Sequence, residues 1–519
     1  MDIEEKIKRY LVLKDYQSTR YWIKELLKIQ PQNAYGQYSL AKVLYEQGNF
    51  MLAIDRLKFI LSIRMQQVEK YGFFLIYQLL AYCYFATGKN KEAARYFLEA
   101  SQFATETIQV AQMYSNYLFI SNYFYDLTNE ELAAQHKKYN GIFIGTFQYT
   151  HKKKDHKKIR IGYISPDFRR HIVVYFSYQL LARYNKNRFE ITCYANGPED
   201  AVTDQLKVLV DHWQNISNLT AEAAAKIIYE DHIDILFDLS GHTANNCLPI
   251  LARKPAPIQI SGIGYFNTTG LSSVDYFLTD INCDPVGEND EYFTEKFLRL
   301  PHSHFCYTPP DIMLNITNDY RATSKITFGS FNNLSKISDA LLSSWLQIIE
   351  RVPNSKLLLK SPHFDKQKDQ DELHTRAMNI GFKAEQIEIR PASLKYLSEY
   401  EEVDIALDTY PYPGGGTTCE ALFMGVPVVS LIGSRHGSRF GYSILKNIGL
   451  EELAAKNEEE YVEIAVNLAS DKELLYYLHK NLRSIMQNSF LMDGGNYIRE
   501  VEAIYEKIWD TWINSEEKI

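Results

Sequence analysis

Hydrophobic and polar positions follow two different patterns along the chain. Up to about residue 150, apolar stripes such as "AIDRLKFIL" and "AARYFLEAS" predict amphipathic helices. From Arg160 onwards, short β-rich runs alternate with helical ones; the runs are IRIGYIS, FEITCYA, IDILFDLS, PIQISGI, ITFGSF, KLLLKS, IEIR, DIALDTY and PVVSLIG. This alternation is typical of parallel sheets covered by helices on both faces, so we predict two doubly wound Rossmann-like domains after an α-helical region.

An internal repeat lies within the helical region. Each member of one set of residues recurs 40 positions later; the pairs are Ala41 and Ala81, Gly48 and Gly88, Ala53 and Ala93, Leu57 and Phe97. We interpret each copy as a helical hairpin in which small residues let the helices approach and glycine opens the turn. The copies resemble the tetratricopeptide repeat, whose period of about 34 residues implies an insertion of about six. An unrelated helical bundle remains the alternative.

Three domains follow from these patterns. We predict a repeat domain at residues 1–150, a first α/β half at 151–318 and a second half with C-terminal helices at 319–519. A solenoid of repeats usually holds peptide or protein in its concave face. The basic run HKKKDHKK at residues 151–158 is interpreted as a solvated linker, with a nucleic-acid patch as the alternative. The division between the halves follows Pro309 and Pro310, in a polar stretch.

Charge and composition exclude several classes of protein. The net charge of −8 argues against nucleic acid as the main partner. An acidic N-terminus lacks the features of a secretory signal, and the most apolar stretch, residues 71–85, is shorter than a bilayer requires. We therefore expect a cytoplasmic protein. The six cysteines form no CxxC pair, which favours buried or incidental thiols over a zinc site or disulfide framework.

A glycine-rich turn in the second half is the first candidate site. In DIALDTYPYPGGGTTCEALFMGVPVV, a strand at residues 404–408 is followed by Gly414, Gly415 and Gly416 and by a helix starting near Thr417. Such a turn lets a phosphate approach the free N–H groups of the helix. Glu420 has two interpretations: it closes a capping box with Thr417, or it binds a ribose.

Other candidates also follow predicted strands. In FGSFNNLSKIS, Asn332, Asn333 and Lys336 can neutralise and hydrogen-bond a phosphate leaving group, although a lone lysine is usually a solvated surface residue. In the first half, the candidate acid–base groups are Asp167 and His171 in GYISPDFRRH and His242 in DLSGHTANN. Asn245 and Asn246 follow the same strand end as His242, and a structural role is the alternative for each of these residues.

Five ordered motifs closely resemble the O-linked N-acetylglucosamine transferase family, which includes the plant SPINDLY-type O-fucosyltransferases. They are GYISPDFRRH, DLSGHTANNCLPILARKPAPIQ, GYFNTTGLSSVDYFLTD, FNNLSKI and LDTYPYPGGGTTCEALFMGVPVV, and the match runs from Arg160 to the C-terminus. The resemblance implies tetratricopeptide repeats before a GT-B transferase that inverts the anomeric centre, uses a nucleotide sugar and needs no metal or other cofactor. Asp369 and Asp371, spaced as in a DxD motif, are interpreted as surface residues of a polar helical stretch.

The resemblance also implies roles for individual residues. Lys336 would stabilise the departing diphosphate with Asn332 and Asn333 beside it, and Glu420 would bind the ribose. Tyr396 would stack on the base. Because stacking tolerates any base, we expect main-chain groups of residues 391–393 to read the base edge. The remaining implied positions are the phosphate turn (Gly415, Gly416, Thr417, Thr418), the surroundings of the sugar (Gly264, His242) and its reacting side (His171, Asp167).

Two positions depart from the family pattern. Many relatives read GYPN where this chain has Phe266 in GYFN, so the wall of the sugar pocket differs. Relatives place a histidine near the end of the repeats where we align Tyr114, so no general base is implied there. The forms HTANN and GTTCE are nearer to the bacterial and SPINDLY-like branch.

The leading hypothesis is transfer of N-acetylglucosamine from UDP-GlcNAc to Ser or Thr of a protein held by the repeats. The alternatives are transfer of fucose from GDP-fucose or glucose from UDP-glucose, a non-catalytic repeat scaffold, and a sugar-nucleotide epimerase. Bacterial relatives include enzymes that modify flagellin or adhesins, which suggests a surface protein as acceptor.

Overall fold

The computed structural model describes residues 2–62, 72–154, 156–316, 320 and 325–515. It divides the chain into two compact units, Met1–Phe124 and Tyr125–Ile519. The first unit therefore ends before the predicted boundary at residue 150. The predicted division between residues 318 and 319 lies outside the described residues, as does Tyr71 of the apolar stretch.

Within its described residues the first unit is helical, and each helix packs on the next one along the chain. Its helices are α1 (Ile3–Val12), α2 (Tyr16–Ile29), α3 (Ala34–Glu46), α4 (Phe50–Ser62), α5 (Phe73–Ala86), α6 (Asn90–Phe103) and α7 (Thr107–Ser121). Gly48 and Gly88 have φ angles of 67° and 71° in the turns after α3 and α5, a conformation that favours glycine. The internal repeat is thus confirmed as two matching helical hairpins, while the tetratricopeptide assignment stays a prediction.

The second unit opens with α8 (Asn129–Lys138) and then builds a seven-stranded sheet. The strands are β1 (Ile159–Ser165), β2 (Phe189–Ala195), β3 (His212–Asn215), β4 (Ile235–Asp238), β5 (Ile258–Ser261), β6 (Tyr276–Asp280) and β7 (Lys296–Leu300). The helices between and after them are α9 (Ile172–Ala182), α10 (Ala201–Lys207), α11 (Ala221–Glu230), α12 (Leu248–Leu251) and α13 (Asp311–Leu314).

A second sheet of six strands follows. Its strands are β8 (Thr327–Ser330), β9 (Lys356–Ser361), β10 (Ile387–Pro391), β11 (Ile405–Leu407), β12 (Val428–Leu431) and β13 (Ala454–Ala455). The helices are α14 (Asp339–Arg351), α15 (Gln367–Ile380), α16 (Gly416–Phe423), α17 (Phe440–Asn447), α18 (Glu458–Ser470), α19 (Lys472–Gln487) and α20 (Gly494–Asn514).

Both sheets are parallel and doubly wound. The strand orders are β3-β2-β1-β4-β5-β6-β7 and β10-β9-β8-β11-β12-β13, and all the strand pairs among the described residues are parallel. In each sheet the order reverses between two central strands, β1 and β4 in the first and β8 and β11 in the second. Ligands of open α/β sheets bind at such switch points. The predicted fold class, a helical region followed by two Rossmann-like domains, is confirmed.

Two segments pack on the first half more closely than the sequence indicated. Helix α20 packs on α9 and β7 of the first half, and Tyr505 on this helix lies 3.1 Å from Tyr163 of β1, hydroxyl to hydroxyl. The basic run also lies against the first half: His151 Nε2 is 2.8 Å from the carbonyl oxygen of Lys254, and His156 Nδ1 is 2.9 Å from Asp234. That segment is therefore attached to the first half and is not a free linker.

The six cysteines are all free and buried, as their spacing predicted. In the described part of the chain, no helix is both long enough and apolar enough to cross a membrane.

Candidate active site

The predicted site residues follow the carboxyl ends of strands at both switch points. Asp167 and His171 come after β1, and His242 comes after β4 in the first sheet. Lys336 follows β8, and the glycine turn follows β11 in the second. Both halves therefore present their candidate chemistry at the edge where doubly wound sheets bind ligands.

Lys336 ends a short 3₁₀ turn formed by residues Leu334–Lys336. Its ammonium Nζ donates to the carbonyl oxygen of Pro413 at 2.9 Å and to Asn332 Oδ1 at 3.3 Å, and it lies 4.9 Å from the centroid of the Tyr412 ring. Burial lowers the pKa of Lys336 to about 8, while the negative charge of Asp408 opposes that shift. Lys336 is thus a cation held directly beside the glycine turn.

The two neighbouring asparagines have different roles. Asn332 Oδ1 accepts hydrogen bonds from Lys336 and, at 2.9 Å, from the Thr417 hydroxyl, so it connects the lysine to α16. Asn333 instead caps the 3₁₀ turn, because its Oδ1 accepts from the Ser335 N–H at 2.9 Å. The structure therefore brings Asn332 next to Lys336, whereas the Asn333 side-chain oxygen is bonded within its own turn.

Asp408 organises the phosphate turn, a role that sequence reasoning missed. Its Oδ1 accepts from the N–H groups of Thr409 and Gly414 at 2.9 and 2.7 Å, and its Oδ2 accepts from the Ser430 hydroxyl at 2.8 Å. Burial raises the pKa of Asp408 to about 6. An aspartate directly at a strand end before a glycine turn is the signal that could have identified it.

Helix α16 begins at Gly416, and no side chain caps its N-terminus. The Thr418 hydroxyl donates back to the Gly414 carbonyl at 2.7 Å, and the Thr417 hydroxyl donates to Asn332. The capping-box interpretation of Thr417 and Glu420 is therefore wrong. The first N–H groups of this helix are left for a ligand, as a phosphate site requires.

Glu420 pairs with Tyr396 instead. The Tyr396 hydroxyl donates to Glu420 Oε1 at 2.9 Å, and the carboxylate is only 8% exposed. Burial raises the pKa of Glu420 to about 7, with the Tyr396 hydrogen bond opposing the shift. The two residues that the resemblance assigns to the ribose and the base are thus hydrogen-bonded to each other.

We expect a pH dependence of nucleotide binding from Glu420. An ionised carboxylate accepts ribose hydroxyls better than a protonated one, and raising the pH from 6 to 7.5 crosses the Glu420 pKa of about 7. Affinity for UDP should rise by about fivefold over that interval, beyond any titration of UDP itself. Calorimetry on wild type and Glu420→Gln separates the titration of Glu420 from that of UDP, because UDP titrates in the same way with both proteins. Parallel pH curves for the two proteins would contradict the assignment.

In the first half, Asp167 and His171 lie side by side. His171 Nδ1 is 3.5 Å from Asp167 Oδ2 and 3.4 Å from the Val173 nitrogen at the start of α9. Arg169 contacts the other Asp167 oxygen at 3.2 Å. Burial lowers the pKa of His171, with Asp167 opposing that shift, so the imidazole is neutral at pH 7 and able to accept a proton.

Helix α9 of the first half packs against the glycine turn of the second. A Cβ on Gly416 would lie 2.3 Å from Ile172 Cδ1, so the helix start requires a residue without a side chain. A Cβ on Gly415 would meet only Phe176 and Phe266, both at 3.9 Å. Gly415 therefore leaves room for a small side chain between the two halves.

Two first-half candidates are packed tightly. His242 is 1% exposed, and its Nε2 lies 2.9 Å from the carbonyl oxygen of Thr269. A Cβ on Gly264 would lie 2.0 Å from the carbonyl oxygen of Leu239, so close backbone packing by itself demands glycine there. The geometry thus favours a structural role for His242 and adds one for Gly264.

At the junction of the halves, three buried side chains lie close enough together to coordinate one metal ion. The ligand atoms of Asp280, Cys283 and His304 lie within 4.8 Å of one another in the described chain. Both oxygens of Asp280 are already hydrogen-bonded, Oδ2 to His304 Nδ1 and Oδ1 to the Cys283 N–H. Beside it, His436 of the second half contacts Asp284 of the first at 2.6 Å. We interpret the cluster as a structural junction.

Comparison with known proteins agrees with this architecture. The family model for glycosyl transferase family 41 matches residues 127–308 and 306–501. The SPINDLY protein of Solanum lycopersicum, described as a probable UDP-N-acetylglucosamine–peptide N-acetylglucosaminyltransferase, is 37% identical over 407 residues, covering 76% of this chain and 44% of the relative. The SEC protein of Arabidopsis thaliana, described in the same words, is 30% identical over 68% of this chain and 37% of its own length.

A solved structure extends the similarity to nearly the whole chain. A lysine-to-methionine mutant of O-GlcNAc transferase from Thermobaculum terrenum superposes with a TM-score of 0.85 and 27% identity, covering 98% of this chain and 97% of that one. The chain spans less than half the length of the plant relatives. On its family model, sequence and fold, this chain belongs to glycosyl transferase family 41.

Proposed function

We propose that the protein is an inverting, metal-independent glycosyltransferase that transfers N-acetylglucosamine from UDP-GlcNAc to Ser or Thr of a protein acceptor. The observation that carries this proposal is the pairing of Lys336 with the uncapped start of α16, bridged by Asn332. A lysine ammonium and free helix N–H groups at one place form a site for a diphosphate. Family membership supplies the reaction class.

The chemistry follows from these charges. When the bond between the sugar and the diphosphate breaks, negative charge grows on the departing oxygen. Lys336 and the N–H groups at Gly416 and Thr417 stabilise that charge without any metal, because their positions are already set by Pro413, Asn332 and Asp408. We further propose that His171 accepts the proton of the attacking hydroxyl on Nε2, in the neutral tautomer whose Nδ1–H faces Asp167.

The first unit is proposed to hold the acceptor, since helical repeats commonly bind extended peptide. The test is to co-express the chain with candidate acceptors and to search the products by mass spectrometry for a sugar on Ser or Thr. An N-acetylhexosamine mass supports the proposed donor, and a deoxyhexose mass supports fucose transfer instead. No modified protein, together with no hydrolysis of any nucleotide sugar, favours a non-catalytic scaffold.

Nucleotide choice gives a direct check of the donor. We expect UDP to bind at least about tenfold more tightly than GDP, a difference of roughly 1.4 kcal/mol. A planar Tyr396 ring stacks on any base, so discrimination must come from main-chain groups of residues 391–393. Tyr396→Ala should weaken both nucleotides and leave their ratio nearly unchanged. Calorimetric titration decides the question, and a preference for GDP would point to GDP-fucose as the donor.

A further inference from the structure

Phe266 projects from the loop after β5 of the first half into a recess of the second half. Its ring stacks on Tyr412 with centroids 4.9 Å apart and planes at 26°, and it packs edge-on against Phe440 with centroids 4.0 Å apart. A Cβ on Gly437 would lie 2.9 Å from Phe266 Cβ, so the second half carries glycine where Phe266 enters. The ring is therefore closely enclosed by residues of the other half.

Tyr412 in turn contacts the lysine of the candidate site. The Lys336 ammonium lies 4.9 Å from the centroid of the Tyr412 ring, a distance at which a cation is attracted to an aromatic face. The carbonyl oxygen of the next residue, Pro413, accepts from the same ammonium at 2.9 Å. The Thr409 hydroxyl fixes the Tyr412 main chain through a 2.8 Å hydrogen bond to its carbonyl. Phe266 packs directly on the Tyr412 ring and helps to fix its position.

We propose that Phe266 is a positioning residue for Lys336, acting through Tyr412. Phe266 holds the tyrosine ring against the ammonium, so the placement of the charge that stabilises the leaving group depends on a residue of the opposite half. The two halves are thereby coupled at the site: the lysine is correctly placed when the loop bearing Phe266 is seated in the second half. The effect on rate rests on the proposed transferase function, whereas the effect on Lys336 itself does not.

The first test measures kcat and donor KM for Phe266→Leu and Phe266→Met, which remove the ring and keep most of its apolar volume. We expect kcat to fall about tenfold while KM changes less than about twofold. In a Lys336→Ala background the same substitutions should cause no further loss of kcat. Tyr412→Leu should reproduce the loss, and Tyr412→Phe, which keeps the ring, should recover most of it.

The control is Phe490→Ala, which removes another interface ring that stacks on His302, with centroids 3.6 Å apart, and is 48% exposed. It should leave kcat unchanged. An equal loss from Phe266→Leu in the wild-type and Lys336→Ala backgrounds would overturn the proposal, because the effect would then bypass the lysine. Unchanged kcat in folded Phe266→Leu and Phe266→Met would overturn it as well.

A second measurement, the titration of Lys336 itself, tests the proposal without an activity assay. In ¹³C-dimethyl-lysine NMR, the Lys336 signal is assigned by its absence in Lys336→Arg and titrated with pH. The charged group whose field acts on it is the buried Asp408, which none of these substitutions alters. Loss of the aromatic contact should move the Lys336 titration to lower pH in Phe266→Leu and leave it in place in Phe490→Ala. If the wild type neither transfers nor hydrolyses any nucleotide sugar, the proposed function fails, and this titration still decides the inference: an unmoved midpoint overturns it.

Discussion

Lys336→Ala is expected to lower kcat by about 10²-fold or more, with a much smaller change in UDP affinity. The reason is that the ammonium matters most when charge grows on the departing diphosphate, and its neighbours Pro413 and Asn332 offer oxygen atoms that cannot replace it. Steady-state kinetics and UDP calorimetry measure the two effects separately. In the wild type, kcat/KM should also decline as the pH rises through about 8, where Lys336 of the free enzyme loses its proton.

Lys368→Ala is the matched control for this prediction. Lys368 is an exposed lysine of the same half, in α15, and its removal should leave kcat and UDP affinity unchanged. Wild-type turnover by Lys336→Ala would rule out the role assigned to this lysine. An equal loss of kcat in Lys336→Ala and Lys368→Ala would indicate that removing any positive charge from the second half lowers activity.

Gly264→Ala is expected to destabilise the second unit by about 1–3 kcal/mol, the usual cost of forcing extra atoms into a packed core. The added Cβ would lie 2.0 Å from the carbonyl oxygen of Leu239, and main-chain atoms have little freedom to move away. The loop that carries Phe266 must then shift, so kcat should fall together with stability. Thermal unfolding measured by circular dichroism should show a melting temperature lowered by several degrees.

Gly141→Ala provides the comparison, since a Cβ at Gly141 would meet no atom within 4 Å. That variant should unfold within about 0.5 kcal/mol of the wild type. If Gly264→Ala melted at the same temperature as Gly141→Ala, the loop could not pack against Leu239 as the structure has it.

The strands at the centres of both sheets could be predicted from the sequence because they are buried on both faces. Strands β1, β2 and β9 coincide with the predicted runs at both ends, since a buried parallel strand is a continuous hydrophobic run. Strand β3 was missed because its residues are polar and largely exposed, and β13 because it has two residues. Strands β6 and β7 were missed as well. Both strands contain apolar residues, but the sequence does not show how many strands the first sheet has beyond β5.

The site residues also include some that the sequence predicts and some whose arrangement only the tertiary structure decides. Lys336 and the glycine turn could be proposed from the sequence because a lysine and several glycines follow buried strands there. Glu420 lies inside α16, and the residues alone left it divided between capping and ribose binding, so its binding role rests on the family resemblance. Which of two adjacent asparagines faces the lysine was decided by the backbone of the 3₁₀ turn, which directs the Asn333 oxygen to Ser335. Local sequence carries no information on that choice.

Contacts between distant parts of the chain were decided only by tertiary structure. Ile172 meets the start of α16 at Gly416, and Phe266 stacks on Tyr412, although each pair lies far apart in sequence. The sequence by itself determined the α/β class, the internal repeat and the residues able to hold a diphosphate, because these depend on local periodicity and residue type. The contact of Ile172 with the start of α16 depends on how the two sheets pack together. The burial of His242 depends on tertiary contacts within the first half and the segment before it, such as those with Thr269 and Tyr265.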